Sequence, residues 1–208
     1  SPLWCYSVGY PSMQQPSVQQ GTAVITSGNL GAVTANITST DPAVDGLERW
    51  RPVQLAAPVQ ARLTVVALSG LSGYQAVTGD QSGRVYAINL SNGTLAWTAN
   101  GGAPLGDRVQ AFVRPHGAKD RLFFGTRNSS TTSNKVYALN ASNGSVAWTY
   151  APGDLDIISG GTVIDSAAGR LYVASRGAGG TDSFRVLDLT TGARLAGLAL
   201  GDIDYNLT

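Results

Sequence analysis

Residues 83–97 read GRVYAINLSNGTLAW, and residues 134–148 read NKVYALNASNGSVAW. The two segments lie 51 positions apart and share a hydrophobic alternation, a polar turn and a closing tryptophan. Self-similarity at a period of tens of residues is the mark of a fold made by copying one small unit. The register extends both ways. Residues 31–50 repeat the unit with a longer turn before Gly46, and residues 184–198 repeat it with Leu198 read in the tryptophan's place. Trp4 closes a still earlier copy. The successive intervals along Trp4, Trp50, Trp97, Trp148 and Leu198 are 46, 47, 51 and 50 residues.

Each period also holds two earlier apolar runs. They are residues 17–19 and 22–27, then 63–68 and 74–78, then 109–114 and 121–126, then 161–165 and 170–175. All are rich in β-branched and aromatic residues and are bounded by Gly, Asp, Asn or Ser, which is the signature of short strands. Four antiparallel strands in about fifty residues make one blade of a β-propeller. No segment carries helical periodicity. The expected fold is therefore all-β. Residues 1–15 end a preceding blade, blades occupy 16–52, 58–99, 105–150 and 155–198, and 199–208 lead into a further one. The turn before each outer strand needs positive φ, which Gly93, Gly144 and Gly192 supply without steric cost.

The pattern G-x-V-Y-A-[IL]-[DN]-x-x-[TN]-G-x-x-x-W resembles the repeat of the PQQ-type propellers. That family includes quinoprotein alcohol dehydrogenases and the bacterial outer-membrane assembly propeller lipoprotein. The resemblance is strong at 83–97 and 134–148, clear at 184–198 and looser at 31–50. It implies seven or eight blades in a complete ring, so the chain reads as an arc whose remaining blades come from another segment or a partner chain. A compact four-bladed ring is the other possibility. The resemblance also implies two functions. One is a non-catalytic structural or protein-interaction module. The other is part of a dehydrogenase that uses PQQ and calcium, with an active site mainly outside this segment. Quinone-using members carry an adjacent cysteine pair; this chain has one cysteine, Cys5, read as a small buried hydrophobe or as the partner of a cysteine elsewhere.

Composition fits a turn-dense β-domain, with 26 glycines and 43% hydrophobic residues in 208. A net charge of +1 gives no electrostatic case for nucleic acid or an anionic membrane. No apolar run approaches a membrane span. Lys119 and Lys135 are the only lysines.

Asparagine placement bears on compartment. Seven residues, Asn36, Asn89, Asn92, Asn128, Asn140, Asn143 and Asn206, stand in Asn-x-Ser/Thr, where chance gives about two. Asn89 and Asn140 occupy the position at which the resembled repeat has Asp. The pattern points to a secreted glycoprotein, or a periplasmic protein if the source is bacterial, acting on other extracytoplasmic proteins. Asn128, Asn92 and Asn143 are the best acceptors, with Asn36 and Asn206 as further candidates. Asn and Ser are also ordinary turn residues.

Candidate chemistry is sparse. Asp80, Asp107, Asp154, Asp156, Asp202 and Asp204 belong to loops on one face of the propeller. The repeated Gly-Asp-Leu-Asp (153–156) and Gly-Asp-Ile-Asp (201–204) make Asp154, Asp156, Asp202 and Asp204 weak calcium candidates. The same residues equally serve as turn acceptors. The single histidine, His116, falls in a hairpin on the opposite face, away from these carboxylates. The glycine-rich stretch 177–180 lacks the lysine and helix of a phosphate cradle. No catalytic residue and no cofactor are expected within the segment. Trp50, Trp97 and Trp148, with Tyr86, Tyr137 and Tyr172, read as packing between blades, and Trp4, Tyr10 and Tyr205 as interface residues. The loops 127–133 and 176–183 are the expected interaction surfaces.

Overall fold

In a computed structural model the described residues are 15–27, 31–129, 134–158, 160, 162–177 and 182–203. They form four antiparallel four-stranded sheets, each in sequential order. Blade one is β1 (Ser17–Gln19), β2 (Thr22–Ser27), β3 (Ala32–Ile37) and β4 (Glu48–Gln54). Blade two is β5 (Thr64–Val66), β6 (Gln75–Gly79), β7 (Val85–Asn89) and β8 (Leu95–Thr98). Blade three is β9 (Arg114–Pro115), β10 (Arg121–Gly125), β11 (Val136–Asn140) and β12 (Val146–Tyr150). Blade four is β13 (Val163–Asp165), β14 (Arg170–Ala174), β15 (Phe184–Asp188) and β16 (Arg194–Leu198). One turn of 3₁₀ helix, Ala99–Gly102, follows blade two. Among the described residues no helix is long and apolar enough to cross a membrane.

The repeated sequence produces a repeated turn. Asn89 N–H bonds the Thr94 carbonyl at 2.8 Å and Gly93 N–H bonds the Asn89 carbonyl at 2.9 Å. Asn140 with Ser145 and Gly144, and Asp188 with Ala193 and Gly192, close the same way. Blade one closes its longer turn between Ile37 and Leu47. Just after each short turn the third and fourth strands slip by one residue, at Ala87/Ile88, Ala138/Leu139 and Val186/Leu187. The bulge sets the tryptophan opposite a small residue, Ala87 for Trp97 and Ala138 for Trp148.

That placement builds the blade-to-blade contact. Trp97 lies over the Gly144 turn of the next blade, and its indole N–H donates to the Ala141 carbonyl at 2.8 Å. Trp50 takes the same position over Gly93 with Leu90 as acceptor, and Trp148 over Gly192 with Leu189. A Cβ on Gly144 would come within 2.6 Å of the Trp97 ring, at a φ of +70°. The turn thus requires glycine for its backbone and for its neighbour. Three cores fill the spaces between consecutive blades, and Trp50, Trp97 and Trp148 each belong to one.

Blade four corrects two readings. Val186 pairs with Ala196 as Ala87 pairs with Trp97, so Ala196, not Leu198, stands in the tryptophan's place. Leu198 is 54% exposed. Tyr172 is not the counterpart of Tyr86 and Tyr137 either: it lies on β14, stacked on Phe184, and Arg185 fills that position on β15. A slip of two residues leaves the inward and outward alternation of a strand unchanged, so the hydrophobic pattern alone does not expose it.

The first strands are shorter than their apolar runs. Val59, Ala61 and Leu63, and likewise Val109, Ala111 and Val113, alternate inward and are buried, yet pairing begins only at Thr64 and Arg114. Their backbone serves neighbouring connections instead: Val109 N–H donates to the Asp80 carbonyl at 3.0 Å.

Candidate functional site

Asp80 follows β6 and is fully buried. Its Oδ1 accepts from Ser82 N–H (2.9 Å), the Ser82 hydroxyl (2.7 Å) and Arg84 N–H (3.0 Å), while Oδ2 accepts from the Tyr86 hydroxyl at 2.8 Å. The Tyr86 oxygen in turn accepts from Ala56 N–H in the link between blades one and two, at 3.3 Å. Burial first, and the Asp80 contact second, push the Tyr86 hydroxyl up to about 12. Tyr137 repeats the strap in blade three, bonding the Leu105 carbonyl. In blade four Arg185 reaches the Asp154 carbonyl at 3.3 Å. In blades two, three and four, one position on the third strand therefore ties down the connection entering its own blade.

Three other acidic residues of this face are also engaged. Asp107 Oδ1 accepts from Asn128 Nδ2 at 2.7 Å. Asp154 Oδ1 pairs with the Arg185 guanidinium at 3.1 Å, an arginine whose side chain is 1% exposed. Asp156 Oδ1 accepts from Ile157 N–H at 2.6 Å. Asp202 is exposed, and Asp204 lies outside the described residues. Among the described residues no three His, Cys, Asp or Glu side chains gather where an ion would sit. Of the three weak calcium candidates among the described residues, Asp154 is a counter-ion, Asp156 a turn acceptor and Asp202 an exposed carboxylate. Replacing Asp154 by alanine leaves a buried guanidinium without its carboxylate. The expected loss is about 1–2 kcal/mol, reduced from that of a fully buried pair because Asp154 is half-exposed. Urea unfolding of the variant measures it, and an unchanged midpoint would show that the pair contributes nothing.

His116 sits in the β9–β10 hairpin and meets Asp120 of the same hairpin, Nδ1 to Oδ1, at 2.8 Å. This contact holds the Asp120 carboxyl below its usual range. The pair is superficial, with Asp120 half-exposed.

A contact between the segments that lead into the first strands of blades two and three is not anticipated from the sequence. Val-Gln-Ala occurs at 59–61 and again at 109–111, and the two glutamines meet, Gln110 Nε2 donating to Gln60 Oε1. Recurrence of that tripeptide was the available signal. Beside it Phe112 meets both Arg62 and Arg114, whose guanidinium carbons lie 5.7 and 5.0 Å from the ring centre. Arg62 and Phe112 line an open cleft of about 350 Å³ together with Pro16, Val18 and Thr64. Its walls offer one cation, Arg62, and the aromatic face of Phe112. They provide no general acid or base.

The sequons fall into different settings. Asn36 is fully buried, its Nδ2 bonded to the Gly46 carbonyl at 3.0 Å. Asn128 spends its Nδ2 on Asp107. Asn92 and Asn143 are exposed at the tips of the β7–β8 and β11–β12 turns. Asn206, Trp4, Cys5, Tyr10 and Tyr205 lie outside the described residues, as do parts of the loops 127–133 and 176–183.

Both oxygens of Asp80 are taken within its own loop and by Tyr86, and Trp50, Trp97 and Trp148 are each closed over by the glycine turn of the next blade.

Residues 1–129 match the family model described as outer membrane protein assembly factor BamB. No curated protein matches the chain. Among solved structures, BamB from Moraxella catarrhalis is 22% identical with a TM-score of 0.67, over 94% of this chain and 52% of that one. The quinohemoprotein alcohol dehydrogenase of Comamonas testosteroni is 15% identical with a TM-score of 0.71, over 93% of this chain and 35% of that one. The computationally designed Ika4 protein is 10% identical with a TM-score of 0.62, over 87% of this chain and 92% of that one. The chain thus spans about half the length of the Moraxella protein and about a third of the dehydrogenase. At these identities the likeness is one of fold.

Proposed function

This chain belongs to the family of PQQ-type propellers described by the outer membrane protein assembly factor BamB, and from that membership we propose a non-catalytic propeller, working outside the cytoplasm as a structural or protein-interaction module. The observation that carries the reading is the use to which potentially reactive side chains are put. Asp80, Asp107, Asp154 and Asp156 each accept a hydrogen bond or ion pair from the fold itself. Trp50, Trp97 and Trp148 are consumed in blade packing. What remains accessible is surface suited to contact, above all the Arg62–Phe112–Arg114 cluster and its cleft. Such rims of loops and connections are where propellers meet other proteins.

The competing reading is a PQQ- and calcium-dependent dehydrogenase, favoured by the structural likeness to the Comamonas enzyme. The two separate in one experiment on the complete protein. With PQQ and calcium added, the expected result is no bound-quinone absorbance and no dye-linked alcohol oxidation. Stoichiometric quinone binding with turnover would remove the non-catalytic reading.

A further inference from the structure

We propose that Asn92 and Asn143 are sites of N-linked glycosylation, presented side by side on the turn tips of blades two and three. The inference rests on the extracytoplasmic part of the reading above. It comes from sorting the sequons by what their amide nitrogens do. The reacting atom of an acceptor asparagine is Nδ2, and a folded protein accommodates a glycan only where that atom faces solvent. Asn36 is buried with Nδ2 bonded to a carbonyl. Asn89 and Asn140 give Nδ2 to the Thr94 and Ser145 side-chain oxygens at 3.0 and 2.7 Å. Asn128 gives it to Asp107.

Asn92 and Asn143 differ. In both, only Oδ1 is engaged. Thr94 donates its N–H and its hydroxyl to Asn92 Oδ1 at 3.0 and 2.9 Å, and Ser145 N–H donates to Asn143 Oδ1 at 3.0 Å. The third residue of each sequon thereby orients the amide by its oxygen and leaves Nδ2 free among the described residues. The base of each turn is pinned, because Gly93 and Gly144 lie under Trp50 and Trp97. Only the tip is left outward. The equivalent tip of blade four, Thr190-Thr191-Gly192, carries no sequon.

The co-substrate is an oligosaccharide on a polyprenyl pyrophosphate. Nδ2 attacks the anomeric carbon, the bond from that carbon to the pyrophosphate oxygen breaks with its electron pair leaving on that oxygen, and the Nδ2 proton is released to the leaving group. No oxidation or reduction occurs. The Asn143 tip is beside the β5–β6 loop, where Ser142 approaches Gly70. That is the side away from Asp80, Asp107 and Asp154, so glycans there leave the acidic loop face open.

The test uses the complete protein recovered from the cells that make it. Peptide mass spectrometry follows N-glycosidase release in oxygen-18 water, beside a control without the enzyme, because spontaneous Asn-Gly deamidation in the same water also takes up the label and only the excess over the control reports a glycan. The expected result is the label at Asn92 and Asn143. Asn92→Asp and Asn143→Asp, which keep the Oδ1 acceptor of the turn, each remove one step of gel mobility, and Thr94→Ser retains it. Unmodified peptides at both positions overturn the proposal, as does modification only at Asn36 or Asn128. Cell fractionation, read separately, tells an extracytoplasmic protein that lacks these glycans from one that never leaves the cytoplasm. The second result also fells the localisation, while the first leaves it standing.

Discussion

Replacing Trp97 by alanine is expected to lower the unfolding free energy by about 3–5 kcal/mol, the cost typical of removing a buried aromatic ring. Urea titration measures it. Three contributions combine at this residue. The ring is 7% exposed and belongs to the core between blades two and three. Its N–H satisfies the Ala141 carbonyl. Its face covers a glycine turn that has no Cβ to fill the space once the ring is gone. The cavity therefore opens at the seam between two blades, where closing it requires one sheet to move against another. Trp97→Phe keeps a ring over Gly144 and loses the hydrogen bond, for an expected cost of about 1–2 kcal/mol. A loss below about 1 kcal/mol in the alanine variant would mean that the blades hold together without their tryptophans, contrary to the packing derived above.

The same contact marks what was legible in the sequence. The period, the turn glycines and the third and fourth strands are written in residues 83–97 and 134–148, because a copied unit needs the same turn and the same small residue opposite its tryptophan. Blade four was misread by two positions. A strand repeats every two residues, and FRVLD satisfies that pattern in either register. The bulge and the pairing of Val186 with Ala196 decide between them, and the turn glycine agrees, since Gly192 stands four residues before Ala196 as Gly93 does before Trp97. The inner runs were read as longer strands for a related reason: alternation reports which side chains are buried, and Val109, Ala111 and Val113 are buried without sheet partners. As for the site, the sequence placed acidic residues in the loops but not their partners. Arg185 and Asp154 are 31 positions apart, and Asn128 and Asp107 are 21 apart, distances over which spacing carries no pairing signal.

Asp80 carries the second large effect. An Asp80→Ala variant removes the acceptor of four hydrogen bonds inside a fully buried loop, and the expected loss is about 3 kcal/mol. The damage reaches two connections. Through Tyr86 the carboxylate holds Ala56, in the link from blade one. Through the backbone of its own loop it orders Gly83, whose carbonyl accepts from Leu105 N–H in the link to blade three at 2.9 Å. A double-mutant cycle with Tyr86→Phe should show a coupling of about 1 kcal/mol, since both changes break one shared bond. The pair also leaves a signature in pH. Folding raises the Tyr86 hydroxyl from 10.0 to about 12, so the native state holds this proton more tightly than the unfolded chain. The resulting stability is fully present below the unfolded value and is lost as pH rises through the folded one. Burial raises Tyr137 and Tyr150 in the same direction, so an alkaline decline persists in every variant. Tyr86→Phe should make it shallower between about pH 10 and pH 12. Asp80→Ala should do the same, more weakly, because burial is the larger cause of the shift. Identical alkaline profiles for wild type and Tyr86→Phe would show that this hydroxyl titrates as freely in the fold as in the open chain, and the strap between blades one and two would lose its keystone.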